Sequence, residues 1–389
     1  MKIVEINSFG NFSTGNIACD VAEEFQKQSN ESIVLYARGN IKNIVKSKRI
    51  SSKLDIYTHA FLSRIFDSVG LHSNHQTKKV IKFLDEYKPD IVHLHNIHGY
   101  YMNYPLLFDY LYEHKNIKVI WTLHDTWAIT GHCCYFSRAN CERWKTGCSN
   151  CPLKKSYPAS ILFDNSKRNY QLKKDTFTKI ESNRMTFVTP SDWLANIVKN
   201  SYLNKYNVKT IYNGIDINKF VKKDKVELIP NKKVILGVAS VWDDRKGLNV
   251  FLELSKVISE EYQIILIGKF TENIKLPTNI THIERTENVD ELVKYYSSCN
   301  IFFNPTLDEN YPTVNVEAQC CGAKVLTFDS GGSKETNLGN LYIQENRDIS
   351  YIFENIKKIS SVEVKEIDYN KANKERMAKE YYSLYNNQY

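Results

Sequence analysis

Two glutamates, Glu309 and Glu317, are separated by seven residues in Asp308-Glu309-Asn310-Tyr311-Pro312-Thr313-Val314-Asn315-Val316-Glu317-Ala318. That spacing puts carboxylates on both sides of an expected helix start. The apolar run Ile301-Phe302-Phe303 ahead of them reads as a strand. Pro312 suits a first helical turn, because the N–H it lacks would be unpaired there anyway. Gly322 stands where a C-terminal cap belongs. The backbone N–H groups of Thr313, Val314 and Asn315 would then lie at the positive end of a helix dipole, where a phosphate can be held. Glu309 falls in the loop before that anion site. Glu317, about a turn inside, is placed to accept hydrogen bonds from ribose hydroxyls. Taken alone, two acids flanking a capped helix are an ordinary solvated surface.

A second segment points the same way. The strand-like Lys233-Val234-Ile235-Leu236-Gly237-Val238-Ala239-Ser240 leads into Val241-Trp242-Asp243-Asp244-Arg245-Lys246-Gly247-Leu248. Arg245 and Lys246 therefore follow a strand end, where open α/β sheets bind ligands, and an Arg fork beside a Lys point charge suits a diphosphate. Gly247 allows a tight turn before an amphipathic helix over 248–258. His124-Asp125 likewise follows an apolar strand, Val119 to Leu123, and His124 is the active-site candidate of the first half. His93 and His95 alternate on one strand face, in a polar-lined core or a cleft wall.

These residues need elements to hold them. Strand-like runs at Ile3 to Ile6, Ile33 to Tyr36, Ile91 to Leu94, Val119 to Leu123 and Thr186 to Thr189 alternate with helical patterns. Runs at Val234 to Val238, Ile264 to Ile267, Ile301 to Phe303 and Val325 to Phe328 repeat the alternation. The pattern predicts α/β architecture, two Rossmann-like parallel-sheet domains joined by crossover helices. The boundary is expected after Ile215, with charged Lys222-Lys223-Asp224-Lys225 and Pro230-Asn231 as linker. No GxGxxG fingerprint opens the first strand–helix turn, Gly10-Asn11-Phe12-Ser13-Thr14-Gly15, and Arg38-Gly39 stands where a dinucleotide site wants an acid. A dehydrogenase is therefore discounted.

In order along the chain, Ser13-Thr14-Gly15-Asn16-Ile17-Ala18, Thr122-Leu123-His124-Asp125, Tyr212-Asn213-Gly214-Ile215-Asp216, Arg245-Lys246-Gly247, the two glutamates and Gly331-Gly332-Ser333-Lys334-Glu335 resemble the retaining glycosyltransferase family 4, of the two-domain GT-B fold. Within it the chain is most similar to enzymes of colanic acid, capsule and O-antigen assembly, on Asp90-Ile91-Val92-His93-Leu94-His95-Asn96-Ile97-His98 and the cysteine segment below. The resemblance implies two domains facing a central cleft. Residues 1–215 would form the acceptor side and 216–369 the nucleotide-sugar domain, with 370–389 a helix crossing back. It implies transfer of a sugar from a UDP- or GDP-sugar to a hydroxyl of a lipid-linked glycan, with retention and without a catalytic metal. Arg245 and Lys246 would stabilise the departing diphosphate, Glu309 and His124 would lie by the donor sugar, and Glu317 would hold the ribose. Gly15, Asn310, Tyr311, Thr313 and Val314 complete the implied donor site. Many members have Phe-Gly where this chain has Asn310-Tyr311-Pro312, and proline where it has Lys334. Both changes touch the sugar pocket and leave the sugar open. Two alternatives stand: a GT-B-type epimerase or phosphorylase, and a non-catalytic binding subunit.

Five of the nine cysteines, Cys133, Cys134, Cys141, Cys148 and Cys151, fall within an insertion at about 131–152. A CxxC with further cysteines upstream fits a structural zinc held by Cys141, Cys148, Cys151 and either Cys133 or Cys134, with His132 as substitute. Free thiols and disulfides are the other readings. With 42% hydrophobic and 25% charged residues the composition is that of an ordinary globular chain, and no apolar run approaches membrane-spanning length. A cytoplasmic protein is expected. The net charge of +8 is spread along the chain without a nucleic-acid motif, which argues against nucleic acid as partner. Basic, aromatic stretches at Lys154-Lys155-Ser156-Tyr157 and Lys167-Arg168-Asn169-Tyr170 instead fit peripheral docking at the inner face of a membrane, near a lipid-linked acceptor.

Overall fold

The computed structural model describes residues 1–387 apart from Asn43 and Asn273. The chain divides into two compact units, Met1–Tyr212 with the segment from Glu375 onward, and Asn213–Lys374. The first division falls three residues before the expected boundary, for a physical reason. Ile215 donates its N–H to Ala372 O at 2.7 Å and accepts from Lys374 N at 3.0 Å, which stitches residues 213–216 to the second unit.

The first unit is built on β1 (Lys2–Phe9), β2 (Glu31–Arg38), β3 (Ser47–Arg49), β4 (Ile91–Leu94), β5 (Lys118–Thr122), β6 (Met185–Thr189) and β7 (Asn207–Thr210), in the spatial order β3-β2-β1-β4-β5-β6-β7. Every pairing is parallel. Strands buried on both faces are fully apolar or nearly so, which is why β4 to β6 stand out in the sequence. The C-terminal helix, Lys374–Asn386, belongs here. Its Met377, Tyr381, Leu384 and Tyr385 pack with Ile3, Ile91, Ile120 and Val188.

The second unit holds β8 (Lys233–Trp242), β9 (Tyr262–Phe270), β10 (Ile280–Ile283), β11 (Ile301–Asn304), β12 (Val325–Phe328) and β13 (Leu341–Gln344), ordered β10-β9-β8-β11-β12-β13 and again all parallel. Each sheet reverses its winding once, between β1 and β4 and between β8 and β11. Ligands of such sheets bind beyond the strand C-termini at that reversal. Four strands were not expected from the sequence, β3, β7, β10 and β13, and all four are sheet edges.

Candidate active site

Arg245 and Lys246 follow the end of β8 and Glu309 follows the end of β11, so they flank the reversal point of the second sheet. Their loops are sewn together. Leu307 N–H donates to Arg245 O at 2.8 Å, and Arg245 Nη1 donates to Asp308 O at 2.9 Å. Gly247, at φ 79°, comes so near this loop that a Cβ would lie 2.3 Å from the Pro305 carbonyl oxygen, a position only glycine can fill. Lys246 Nζ pairs with Glu309 Oε2, and Arg245 Nη1 lies 3.4 Å from the same oxygen. Burial alone would push the Glu309 carboxyl up, but the Lys246 ammonium and Arg245 guanidinium outweigh it and hold the group below the ordinary carboxylate range. The Gly331-Gly332 loop closes over the far side: Gly332 N–H donates to Glu309 O at 3.2 Å, and a Cβ on Gly331 would stand 1.8 Å from that oxygen.

The following helix runs Thr313–Cys320, with Pro312 as its N-cap rather than its first helical residue. Asn315 N–H is taken by Pro312 O at 3.0 Å. Of the three amides expected at the helix mouth, those of Thr313 and Val314 are therefore the ones before the first bonded turn. At the other end Gly322, at φ 84°, closes a Schellman cap, with Ala323 N–H to Ala318 O and Gly322 N–H to Gln319 O, both 2.9 Å. Glu317 lies a turn inside. Burial pushes its carboxyl up to about 7, against the opposing hydrogen bonds from the hydroxyls of Tyr296 and Thr313. Tyr296 Oη stands 3.2 Å from Glu317 Oε2. Tyr296 was not singled out from the sequence, because a Tyr on an amphipathic helix carries no mark of the carboxylate it will meet. Asn310 and Tyr311 are both buried, and Asn310 N–H reaches Glu309 Oε1 at 3.3 Å.

In the first unit, His124 follows β5 at the sheet's C-terminal end and is half-buried. Behind it runs a chain of buried polar groups. His124 Nε2 is 3.0 Å from His95 Nδ1, and His95 Nε2 is 2.8 Å from Glu5 Oε2. Glu5 also meets His93 Nδ1 at 2.8 Å and accepts from Tyr385 Oη at 3.1 Å. His93 Nε2 reaches Thr122 Oγ1 at 2.8 Å, and Thr122 meets Tyr381 Oη at 2.9 Å. His93 and His95 are thus a polar core. Burial opposes ionisation of Glu5, but the two imidazoles prevail and bring its carboxyl down to about 2. Burial, then the neighbouring histidines, holds His124 well below the ordinary imidazole range. A carboxylate only accepts, so His95 carries its proton on Nε2 and offers Nδ1 as acceptor, and His124 donates from Nε2. Glu5 was missed because a lone acid inside a strand reads as an exposed residue. Gly15 lies in the first turn of the helix Phe12–Lys27, not in a loop. A Cβ there would meet Gly10 C at 2.7 Å, so this glycine lets the helix seat on the end of β1.

The cysteine segment forms a compact loop. His132, Cys133, Cys141, Cys148 and Cys151 line one small void of about 10 Å³, the room of one water or ion. A hydrogen bond from Cys133, with His132 nearby, holds the Cys151 thiol below its usual range. His132 Nδ1 bonds Asp67 Oδ1 at 2.5 Å, and its Nε2 is buried without a partner. These donors suit zinc in kind and number. Among the described residues, the ligand sets that close to within 4.8 Å are two others, Glu5 with His93 and His95, and His98 with Asp125 and Cys134.

Two all-parallel sheets, each reversing once and each gathering polar side chains at the reversal, define a double Rossmann-like, GT-B class of protein. Residues 14–219 match the model for Glycosyltransferase Family 4, and residues 232–361 that for Glycosyl transferases group 1. The chain belongs to glycosyltransferase family 4. A putative colanic acid biosynthesis glycosyl transferase, WcaC, of Escherichia coli K12 is 26% identical over 64% of this chain and 62% of its own length. The N,N'-diacetylbacillosaminyl-diphospho-undecaprenol alpha-1,3-N-acetylgalactosaminyltransferase of Campylobacter jejuni is 25% identical over 41% of this chain and 46% of its own. The chain thus spans less than two thirds of either relative. Among solved structures, Anabaena Alr3699/HepE in complex with UDP superposes with a TM-score of 0.60 at 14% identity, covering 99% of this chain and 95% of that one. Among the described residues no helix is long and apolar enough to cross a membrane.

Proposed function

We propose that this chain is a retaining, metal-independent glycosyltransferase of bacterial surface polysaccharide assembly, moving a sugar from a UDP- or GDP-sugar to a hydroxyl of a lipid-linked glycan. The observation that carries this reading is the cluster at the β8/β11 reversal, two cations and a buried carboxylate beside a helix mouth with Glu317 one turn behind it. Arg245, Lys246 and the amides of Thr313 and Val314 stabilise charge as the diphosphate departs, through groups already fixed in place. Glu309, held ionised, accepts from hydroxyls of the donor sugar. Asn310 and Tyr311 shape the wall beside it, and Glu317 accepts from the ribose. His124 orients the sugar, and Gly15 lets the first helix approach. The name of the Campylobacter relative specifies a diphospho-undecaprenol acceptor, and the Anabaena structure holds UDP. These make a polyprenol-linked glycan and a uridine donor the first substrates to try. The cysteine loop would hold a structural zinc by drawing Cys141, Cys148, Cys151 and Cys133 together around it, with His132 in reserve. Metal analysis of the purified protein is expected to find one zinc, lost in Cys148→Ser.

The test is product analysis with nucleotide-sugars and polyprenol-linked glycans in the presence of a chelator. A new glycosidic bond of the donor's anomeric configuration, formed only with acceptor present, is the expected result. A changed sugar nucleotide without acceptor would indicate an epimerase, and a requirement for free phosphate a phosphorylase.

A further inference from the structure

Apolar side chains are exposed in one place at an unusual density. On the helix Lys53–Phe66, the inward face buries Ile56, His59 and Ser63. The opposite face carries Leu54, Tyr57 and Phe61, which are 78%, 70% and 64% exposed. Their spacing of three and then four residues sets them in one stripe along the helix. At the helix end the stripe continues into a second segment. Ile161 N–H donates to Arg64 O at 2.7 Å and Phe163 N–H to Ile65 O at 3.2 Å, while the rings of Phe66 and Phe163 stack at 5.7 Å. Ile161, Leu162 and Phe163 are each at least half exposed. Seven large apolar side chains thus form one outward surface, which water disfavours and which marks an interaction site.

The charges around it select the partner. Lys53 and Arg64 are exposed on the helix, and Lys154, half-buried, extends its Nζ to Leu162 O at 3.5 Å, with exposed Lys155 next to it in the chain. The two surface carboxylates of these segments are otherwise engaged. Asp55 accepts from Ser51 and Ser73 hydroxyls, and Asp164 from Cys151 N–H and the Ser166 hydroxyl. An apolar stripe of Leu, Tyr and Phe edged by Lys and Arg is the composition of a segment that lies in the interface of an anionic bilayer.

We propose that the outer face of the Lys53–Phe66 helix, with the 161–163 loop, is a membrane-docking surface that seats this chain on an anionic lipid bilayer. Leu54, Tyr57, Phe61 and Leu162 enter the acyl boundary, and Lys53, Arg64, Lys154 and Lys155 meet phosphate headgroups. The cysteine loop gains a role from this, since Asp164 ties Cys151 to the base of the apolar loop. For its purpose the inference rests on the reading of a lipid-linked acceptor.

Flotation with vesicles, in the absence of any donor, keeps its failure separate from failure of that reading. The full chain is expected to float with phosphatidylglycerol–phosphatidylethanolamine vesicles and not with phosphatidylcholine alone. Leu54→Ser with Phe61→Ser, and separately Leu162→Ser, should each reduce the bound fraction about tenfold. Both should melt as wild type and retain nucleotide binding. Because all three side chains are exposed, their loss should leave folding intact. Wild-type protein that floats with neither vesicle, or variants that float as well as wild type, would overturn the proposal. So would a wild-type dimer, dispersed by the same substitutions without vesicle binding, which would make the surface a contact between copies of this chain.

Discussion

Glu317 provides the sharpest link between structure and a solution measurement. Burial pushes its carboxyl up to about 7, and its proposed partners are ribose hydroxyls, which it can accept from fully only when ionised. The competent fraction is then about nine tenths at pH 8 and about one tenth at pH 6, and apparent affinity scales with that fraction. UDP or GDP should therefore bind about tenfold more weakly at pH 6 than at pH 8 on this account, a difference of about 1.4 kcal/mol. The nucleotide's terminal phosphate also titrates in this range, so Glu317→Gln is the reference. Its residual pH dependence belongs to the ligand, and the wild type should exceed it by the tenfold factor in isothermal titration. Stability offers a second readout. This acid's folded pKa is raised above its ordinary 4.5, so ionising it costs stability as pH rises from about 4.5 through 7. Ligand-free wild type should lose stability over that window relative to Glu317→Gln. Equal pH dependence of binding in the two proteins would refute the ribose role.

Other outcomes follow from the same geometry. Lys246→Ala leaves Glu309 buried with Arg245 as its charged partner and should cost about 2 kcal/mol in urea denaturation, of which adding Glu309→Gln should restore about half; strict additivity would argue against the pairing. Gly331→Ala must move the Glu309 carbonyl, 1.8 Å from the new Cβ, so it should lower stability by about 2 kcal/mol and weaken donor binding as well. His124 should carry its proton on Nε2, read from two-bond 1H–15N couplings assigned with His124→Gln, and a proton on Nδ1 would contradict the Glu5–His95–His124 chain. Glu5→Ala, which strands two buried imidazole groups, should destabilise the first unit by about 3 kcal/mol.

The interior strands were legible and the edges were not. Val234 to Val238 and Ile301 to Phe303 are apolar throughout because both faces of those strands are covered. Ser47–Arg49 is exposed at every residue, and Asn207–Thr210 alternates between exposed and half-buried. Such edges carry the polar residues that keep them from pairing with other chains, which removes the very signal a strand is read from. The cluster of Arg245, Lys246 and Glu309 could be anticipated because each residue follows an apolar strand. The partners that tune it could not: Tyr296 reaches Glu317 from another helix, and Glu5 reaches His95 across two strands 90 residues apart in sequence. Pro312 showed where a helix begins, yet whether it caps the helix or enters it depends on a backbone bond to Asn315 that no sequence pattern records.

The central claim, a nucleoside diphosphate seated at the β8/β11 reversal, is tested most directly by isothermal titration of the protein with UDP and with GDP beside Lys246→Ala and Glu317→Ala. The account predicts that one nucleotide binds the wild type and that each substitution weakens it by at least about tenfold, one lost charge-assisted contact. Binding of neither nucleotide, or binding unchanged in both variants, would contradict it.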